Sequence, residues 1–173
     1  MKKNYTIMKI RTYLFFTLWM LFGFNVLAQG NSENHPLEQF NKFIGGEWHM
    51  DGSYQVFQWG VGKKSIIAQS YFIINGESTL VSEGSWFWHP GEKKIRGYFT
   101  AVQMPVELFD YTVSFEGNTM VCELRSFDPS GTISEYIETW EFTDVDHYNW
   151  TLYSPSPEGK KKVMGGIYER KNN

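Results

Sequence analysis

Beyond Gly46 the chain is a succession of short runs rich in aromatic and β-branched residues, and turn chemistry interrupts them at intervals of roughly 8 to 12 residues. The interruptions are Gly60 to Lys64, Asn75-Gly76, HPGE at 89–92, QMP at 103–105, EGN at 116–118, DPSG at 128–131, DVD at 144–146 and SPSPEG at 154–159. Such connections are too short to carry crossover helices, so neighbouring strands must pair antiparallel. The spacing predicts an all-β fold, a meander of about nine or ten strands that packs as a sandwich or closes as a barrel.

The entry to this pattern is PLEQFNKFIGGEWHMDGSYQVF. Leu37, Phe40, Phe43 and Ile44 fall at helical spacing, Pro36 can open a short helix, and Gly45 or Gly46 can end it. Read as one strand, EWHMDGSYQVF puts Trp48, Met50, Tyr54 and Val56 on one face and His49, Asp51, Ser53 and Gln55 on the other. Trp48 then points inward, and the glycines supply the backbone freedom to turn from helix into strand.

Ahead of this lies a leader. Lys2, Lys3, Lys9 and Arg11 precede the apolar run TYLFFTLWMLFGFNVLA, with Val26 and Ala28 at the positions a signal peptidase reads before Gln29. The expectation is a signal peptide over 1–28, a linker and short plug helix over 29–45, and one barrel domain over 46–171. An uncleaved anchor is the alternative, since a spanning helix needs only about 17 residues. Once cleaved, the protein would be exported to the periplasm or the cell exterior, without stable insertion in the membrane. With the leader's four basic residues taken from the total of 16, 12 Lys and Arg face 19 Asp and Glu, a formal charge near −7. That balance argues against nucleic acid as a partner. Cys122, the only cysteine, excludes an internal disulfide, and its strand context TMVCEL reads as a small buried residue.

Gly46-Glu47-Trp48, behind a short helix, is similar to the glycine-any-tryptophan opening of lipocalins and other calycin-type barrels, including nitrobindin-like domains. FQWGVGKKSIIAQSY, SEGSWFWHPGEKKIRGYFT and DVDHYNWTLYSPSPEGKKKVMGGIYERK extend the likeness to a bacterial calycin-like family over most of residues 40–171. The resemblance implies an antiparallel barrel with an internal cavity, helix-plugged at one end, and carries no established reaction. Nitrobindin-like domains hold haem through a histidine on the last strand. KVMGGIYERK contains none, so no haem or other cofactor is expected, Met164 being the one residue there that could serve as an axial ligand.

His35, His49, His89 and His147 are scattered without metal-ligand spacing, so they read as surface residues and no metal site is expected. EYIETWEF is more informative: Tyr136, Glu138, Trp140 and Phe142 share a face. An inward Glu138 must be paired, hydrogen-bonded or protonated, because an isolated buried charge costs several kcal/mol. Arg125 on the preceding strand could pair with it, and Tyr136 or Tyr153 could donate hydrogen bonds. Trp86, Trp88, Trp140 and Trp150 could wall a cavity or fill the barrel solid. No nucleophile motif or phosphate-binding loop is present. The leading expectation is therefore an exported, monomeric or weakly oligomeric barrel binding a small apolar or amphipathic ligand. Glu138, Arg125, Tyr136, Trp140, Trp86, Trp88 and Trp150 are the candidate ligand-binding residues, and Gly46 and Trp48 the structural ones. One alternative is an isomerase or hydrolase using Glu138 as a base, and another is an interaction module with a filled barrel.

Overall fold

The computed structural model describes residues 35–172; the expected signal peptide and most of the linker lie outside them. Ten strands follow a 3-10 segment, and a second short 3-10 turn, Val61–Lys63, joins the second and third of them: β1 (Glu47–Met50), β2 (Ser53–Trp59), β3 (Ser65–Ile74), β4 (Glu77–His89), β5 (Lys94–Ala101), β6 (Leu108–Glu116), β7 (Thr119–Phe127), β8 (Ile133–Phe142), β9 (His147–Ser156) and β10 (Gly159–Lys171). Every strand pairs antiparallel with its neighbours in sequence, and β1 pairs with β10, so the meander closes into a barrel rather than a sandwich. Closure leaves no unpaired edge strand.

The predicted plug helix is instead a 3-10 segment, Glu38–Phe43. Its bonds reach back three residues, Phe40 N to Leu37 O at 3.0 Å and Ile44 N to Asn41 O at 3.2 Å. Between Pro36 and Gly45 there is too little chain to offset the nucleation cost of an α-helix, and the tighter helix serves in such short pieces. Its value is in packing. Leu37, Phe40 and Phe43 are fully buried, with Phe40 stacked on Trp86 and edge-on to Phe115, and Phe43 against Trp48, Phe57, Trp140, Phe142 and Tyr148.

Gly45 and Gly46 have φ of +89° and +68°, the left-handed region where a Cβ is strained. Gly46 carries a second constraint, since a Cβ there would meet Lys171 O at 2.8 Å. The turn places Trp48 at 0 % exposure, its indole Nε1 donating to Phe43 O at 2.9 Å and its ring 4.3 Å from the Arg170 guanidinium. Arg170 in turn donates to the Ile44 and Lys42 carbonyls, which fixes the 3-10 segment to the end of β10.

EWHMDGSYQVF is two strands, not one. Met50 pairs with Ser53 across a two-residue turn at Asp51-Gly52, with Gly52 at φ +68°. A two-residue hairpin hands the inner face from even to odd positions, so Ser53, Gln55 and Phe57 follow Met50 inward. Tyr54 and Val56, expected inside, lie outside, where Tyr54 stacks between His49 and Tyr71.

Candidate functional site

The barrel interior is packed unevenly along its axis. At the plug end the inward side chains Phe57, Ile66, Trp86, Ile95, Met120, Phe142, Tyr148 and Tyr168 are buried in one cluster with Phe40 and Phe43. Toward the end where β1–β2, β3–β4, β5–β6, β7–β8 and β9–β10 connect, the inward residues are mixed: Ser53, Phe99, Leu124 and Ser126 are buried, whereas Phe109 on β6, Tyr136 on β8, Trp150 and Leu152 on β9, Gln55 on β2 and Ser70 on β3 keep partial exposure. Phe72 and Ile74, on the inward phase at the tip of β3, are 44 % exposed at the rim.

Glu138 sits at the junction of these two halves. It is 7 % exposed and pairs in register with Cys122 on β7 and Leu152 on β9. Its inward direction follows from the alternation of β8, in which Trp140 and Phe142 are also buried while Glu135 and Glu141 are exposed. Trp140 Nε1 donates to Glu138 Oε2 at 3.2 Å, and the Trp150 and Tyr111 side chains also direct donors at the carboxylate. Desolvation outweighs these neutral donors and pushes the Glu138 pKa up to about 7. Burial, with the Glu138 charge nearby, also raises the Cys122 thiol and the Tyr111 phenol well above their usual values. Cys122 is therefore held as a thiol and is a poor nucleophile.

The sequence-predicted residues divide. Glu138, Trp140, Trp150 and Tyr136 converge on the inner face of β8 and β9. Trp86 faces the same core, with its indole Nε1 buried and without a hydrogen-bond partner; its ring lies over Gly97, where a Cβ would meet Trp86 Cδ1 at 2.4 Å. Trp88 does not join them: it lies at the plug-end terminus of β4 and is 36 % exposed. Arg125 is outside the barrel. Its side chain is 48 % exposed and pairs with Asp110, which also binds Arg96 at 2.5 Å on the outer surface. The proposed Glu138–Arg125 pair is absent because Cys122 and Leu124 face inward and Arg125, at odd parity, cannot. Tyr153 likewise stands on the outward phase of β9, opposite Ile137.

Sequence reasoning missed Tyr111, Gln55 and Ser53. Tyr111 was available from the alternation Phe109, Tyr111, Val113, Phe115 on β6. Gln55, whose Oε1 accepts from Tyr148 Oη at 2.8 Å, was hidden by the overlooked hairpin. His49 bonds Glu47 at 2.9 Å and His147 bonds Asp144 at 2.9 Å on the outer surface. Among the described residues no group of three His, Cys, Asp or Glu is arranged to hold a metal. Met164, on the last strand, is 53 % exposed. Compared with known proteins, the chain matches no family model and no curated sequence.

Proposed function

We propose that this protein is an exported small-molecule-binding barrel of the lipocalin-like, calycin type, holding an apolar or amphipathic molecule in the half of its interior opposite the plug. The observation that carries this reading is the group of inward side chains around a buried carboxyl, Tyr136, Trp150, Leu152 and Phe109, which are only partly buried. Apolar walls with a few convergent polar groups are the common composition of small-molecule sites. Export rests on the leader pattern of residues 1–28.

Titration with the neutral fluorophore N-phenylnaphthylamine tests the chamber. The probe should brighten on binding with a dissociation constant on the order of micromolar, and Leu152→Trp, which narrows the chamber, should weaken it by about tenfold or more. Absence of binding, or indifference to Leu152→Trp, would remove the proposal.

A second reading is favoured by one observation. A desolvated carboxyl with a pKa near 7 is matched to general acid or base work at neutral pH. On that reading Glu138 transfers a proton to or from a molecule in the same chamber, and Glu138→Gln abolishes turnover. An activity that survives Glu138→Gln would eliminate it.

A further inference from the structure

None of the described residues supplies Glu138 with a cation. Among the described residues the arginine ion pairs lie elsewhere: Arg96 and Arg125 close on Asp110 outside the barrel, and Arg170 on Asp146 at the plug end. Lys42 is also at the plug, its amine 3.3 Å from Asn118 O and over the Phe142 ring. The groups that do reach Glu138, the Trp140 and Trp150 indoles and the Tyr111 phenol, are neutral donors. They compensate part of a buried carboxylate's lost hydration and leave its charge unmatched.

The surroundings of that charge are aromatic. Trp140 stacks on Tyr148 and meets Trp86 edge-on, and Trp86 meets Tyr111. Trp150, paired in register with Trp140, is half-buried. Aromatic faces carry a negative quadrupole that attracts cations, most strongly where water is excluded. A carboxylate and indole faces acting together discriminate among ligand heads. A carboxylate head would face Glu138 with no cation to hold it, an alcohol would gain hydrogen bonds alone, and an ammonium would gain both the ion pair and the ring contact.

We propose that the chamber takes an organic ammonium on an apolar body, the cation lying beside the Glu138 carboxylate and against the face of the Trp150 ring, and the body among Leu152, Tyr136 and Phe109. This inference rests on the chamber proposed above and adds the chemical class of its occupant. Binding draws Glu138 to its ionised form. Because burial holds its pKa near 7, the protonated fraction must release its proton as the ammonium binds, and affinity must fall on acidification below that value.

Calorimetry with three ligands of one body, phenylbutylammonium, phenylbutanol and phenylbutyrate, tests the assignment. At a pH of about 8 the ammonium should bind at least about tenfold more tightly than the alcohol. Its advantage should shrink below a pH of about 7, with proton release visible as a heat difference between two buffers of unlike ionisation enthalpy. Glu138→Gln should bring the ammonium to the level of the alcohol while leaving alcohol binding in place. Trp150→Leu should weaken the ammonium more than the alcohol. Binding of the alcohol or of phenylbutyrate as tightly as the ammonium overturns the ammonium assignment and leaves the chamber standing, as does an ammonium preference that survives Glu138→Gln. Failure of all three ligands together with N-phenylnaphthylamine overturns the chamber and the assignment with it.

Discussion

Trp140 stands two residues beyond Glu138 on the inner face of β8, and its indole Nε1 donates to Glu138 Oε2 at 3.2 Å. That bond holds the carboxyl in place without neutralising it. Desolvation lifts its pKa from the ordinary 4.5 to about 7, so the folded protein binds the proton more tightly than the unfolded chain does. Stability is therefore highest below pH 4.5 with respect to this group, declines as pH rises toward about 7, and is level above that. The full change is about 3 kcal/mol. His147, whose pKa is raised by its hydrogen bond to Asp144, also loses stability as pH rises through its folded value, so a wild-type profile alone mixes the two groups. Urea unfolding of wild type and Glu138→Gln across this range separates them: the difference between the curves should grow with pH, the variant being the more stable at neutral pH. A constant difference would show that Glu138 is not desolvated.

Asp110 bridges Arg96 and Arg125 on the outer face of the barrel, its side chain 8 % exposed beneath two guanidinium groups. Replacing it leaves Arg96, at 13 % exposure, with the more exposed Glu92 as its remaining counter-charge. Asp110→Ala should cost about 3 kcal/mol. Arg125, 48 % exposed, is a surface partner, and Arg125→Ala should cost less than about 1 kcal/mol. Because it lies across the sheet from Glu138, it should leave N-phenylnaphthylamine affinity unchanged. A large loss of affinity in Arg125→Ala would contradict its placement outside.

The antiparallel meander was readable because turn chemistry punctuates the chain so regularly, though the turns left sandwich and barrel open, and Glu138 was readable as inward because Trp140 and Phe142 share its parity. Both inferences use local periodicity, which the sequence carries directly. What failed was the bookkeeping of parity across a turn. Asp51-Gly52 is a strong hairpin signal, yet the apolar residues Trp48, Met50, Tyr54 and Val56 stay in one numerical phase across it. The residues that really continue inward include Ser53 and Gln55, polar groups bonded to Met50 O and Tyr148. Arg125 is a different case: adjacency of two strands does not make their side chains neighbours, and Met120, Cys122 and Leu124 carry the inner parity of β7. Tyr111 comes near Glu138 through barrel register and tilt, which no local pattern encodes.

Gly45 and Gly46 separate two constraints that usually occur together. Both have positive φ, but the space beside Gly45 is open, whereas a Cβ on Gly46 would fall 2.8 Å from Lys171 O and 3.1 Å from Arg170 Cγ. Gly45→Ala should cost about 1 kcal/mol, the penalty of the left-handed backbone alone. Gly46→Ala adds displacement of the β10 end and of the Arg170 bonds to the 3-10 segment, and should cost about 2 kcal/mol or more. Chemical denaturation of the two variants measures the difference. Equal costs would mean that the close approach of β10 is not a constraint.

Phe43 and Phe72 test whether the two ends of the barrel are packed as unequally as their exposures indicate. Phe43 is 1 % exposed, with ring centroids 4.7 Å from Phe142, 5.3 Å from Phe57 and 5.7 Å from both Trp140 and Tyr148. Phe43→Ala empties a site bounded by rigid rings that cannot collapse into it, and should destabilise the fold by about 3–5 kcal/mol. Phe72, 44 % exposed at the opposite rim, should cost less than about 1 kcal/mol when truncated to Ala. Ligand binding should respond in the opposite sense. Phe72→Ala removes part of the apolar mouth and should weaken N-phenylnaphthylamine several-fold with little change in melting temperature. A Phe72→Ala variant as unstable as Phe43→Ala would mean that the mouth is packed like the plug and that the chamber between Phe72 and Glu138 does not exist.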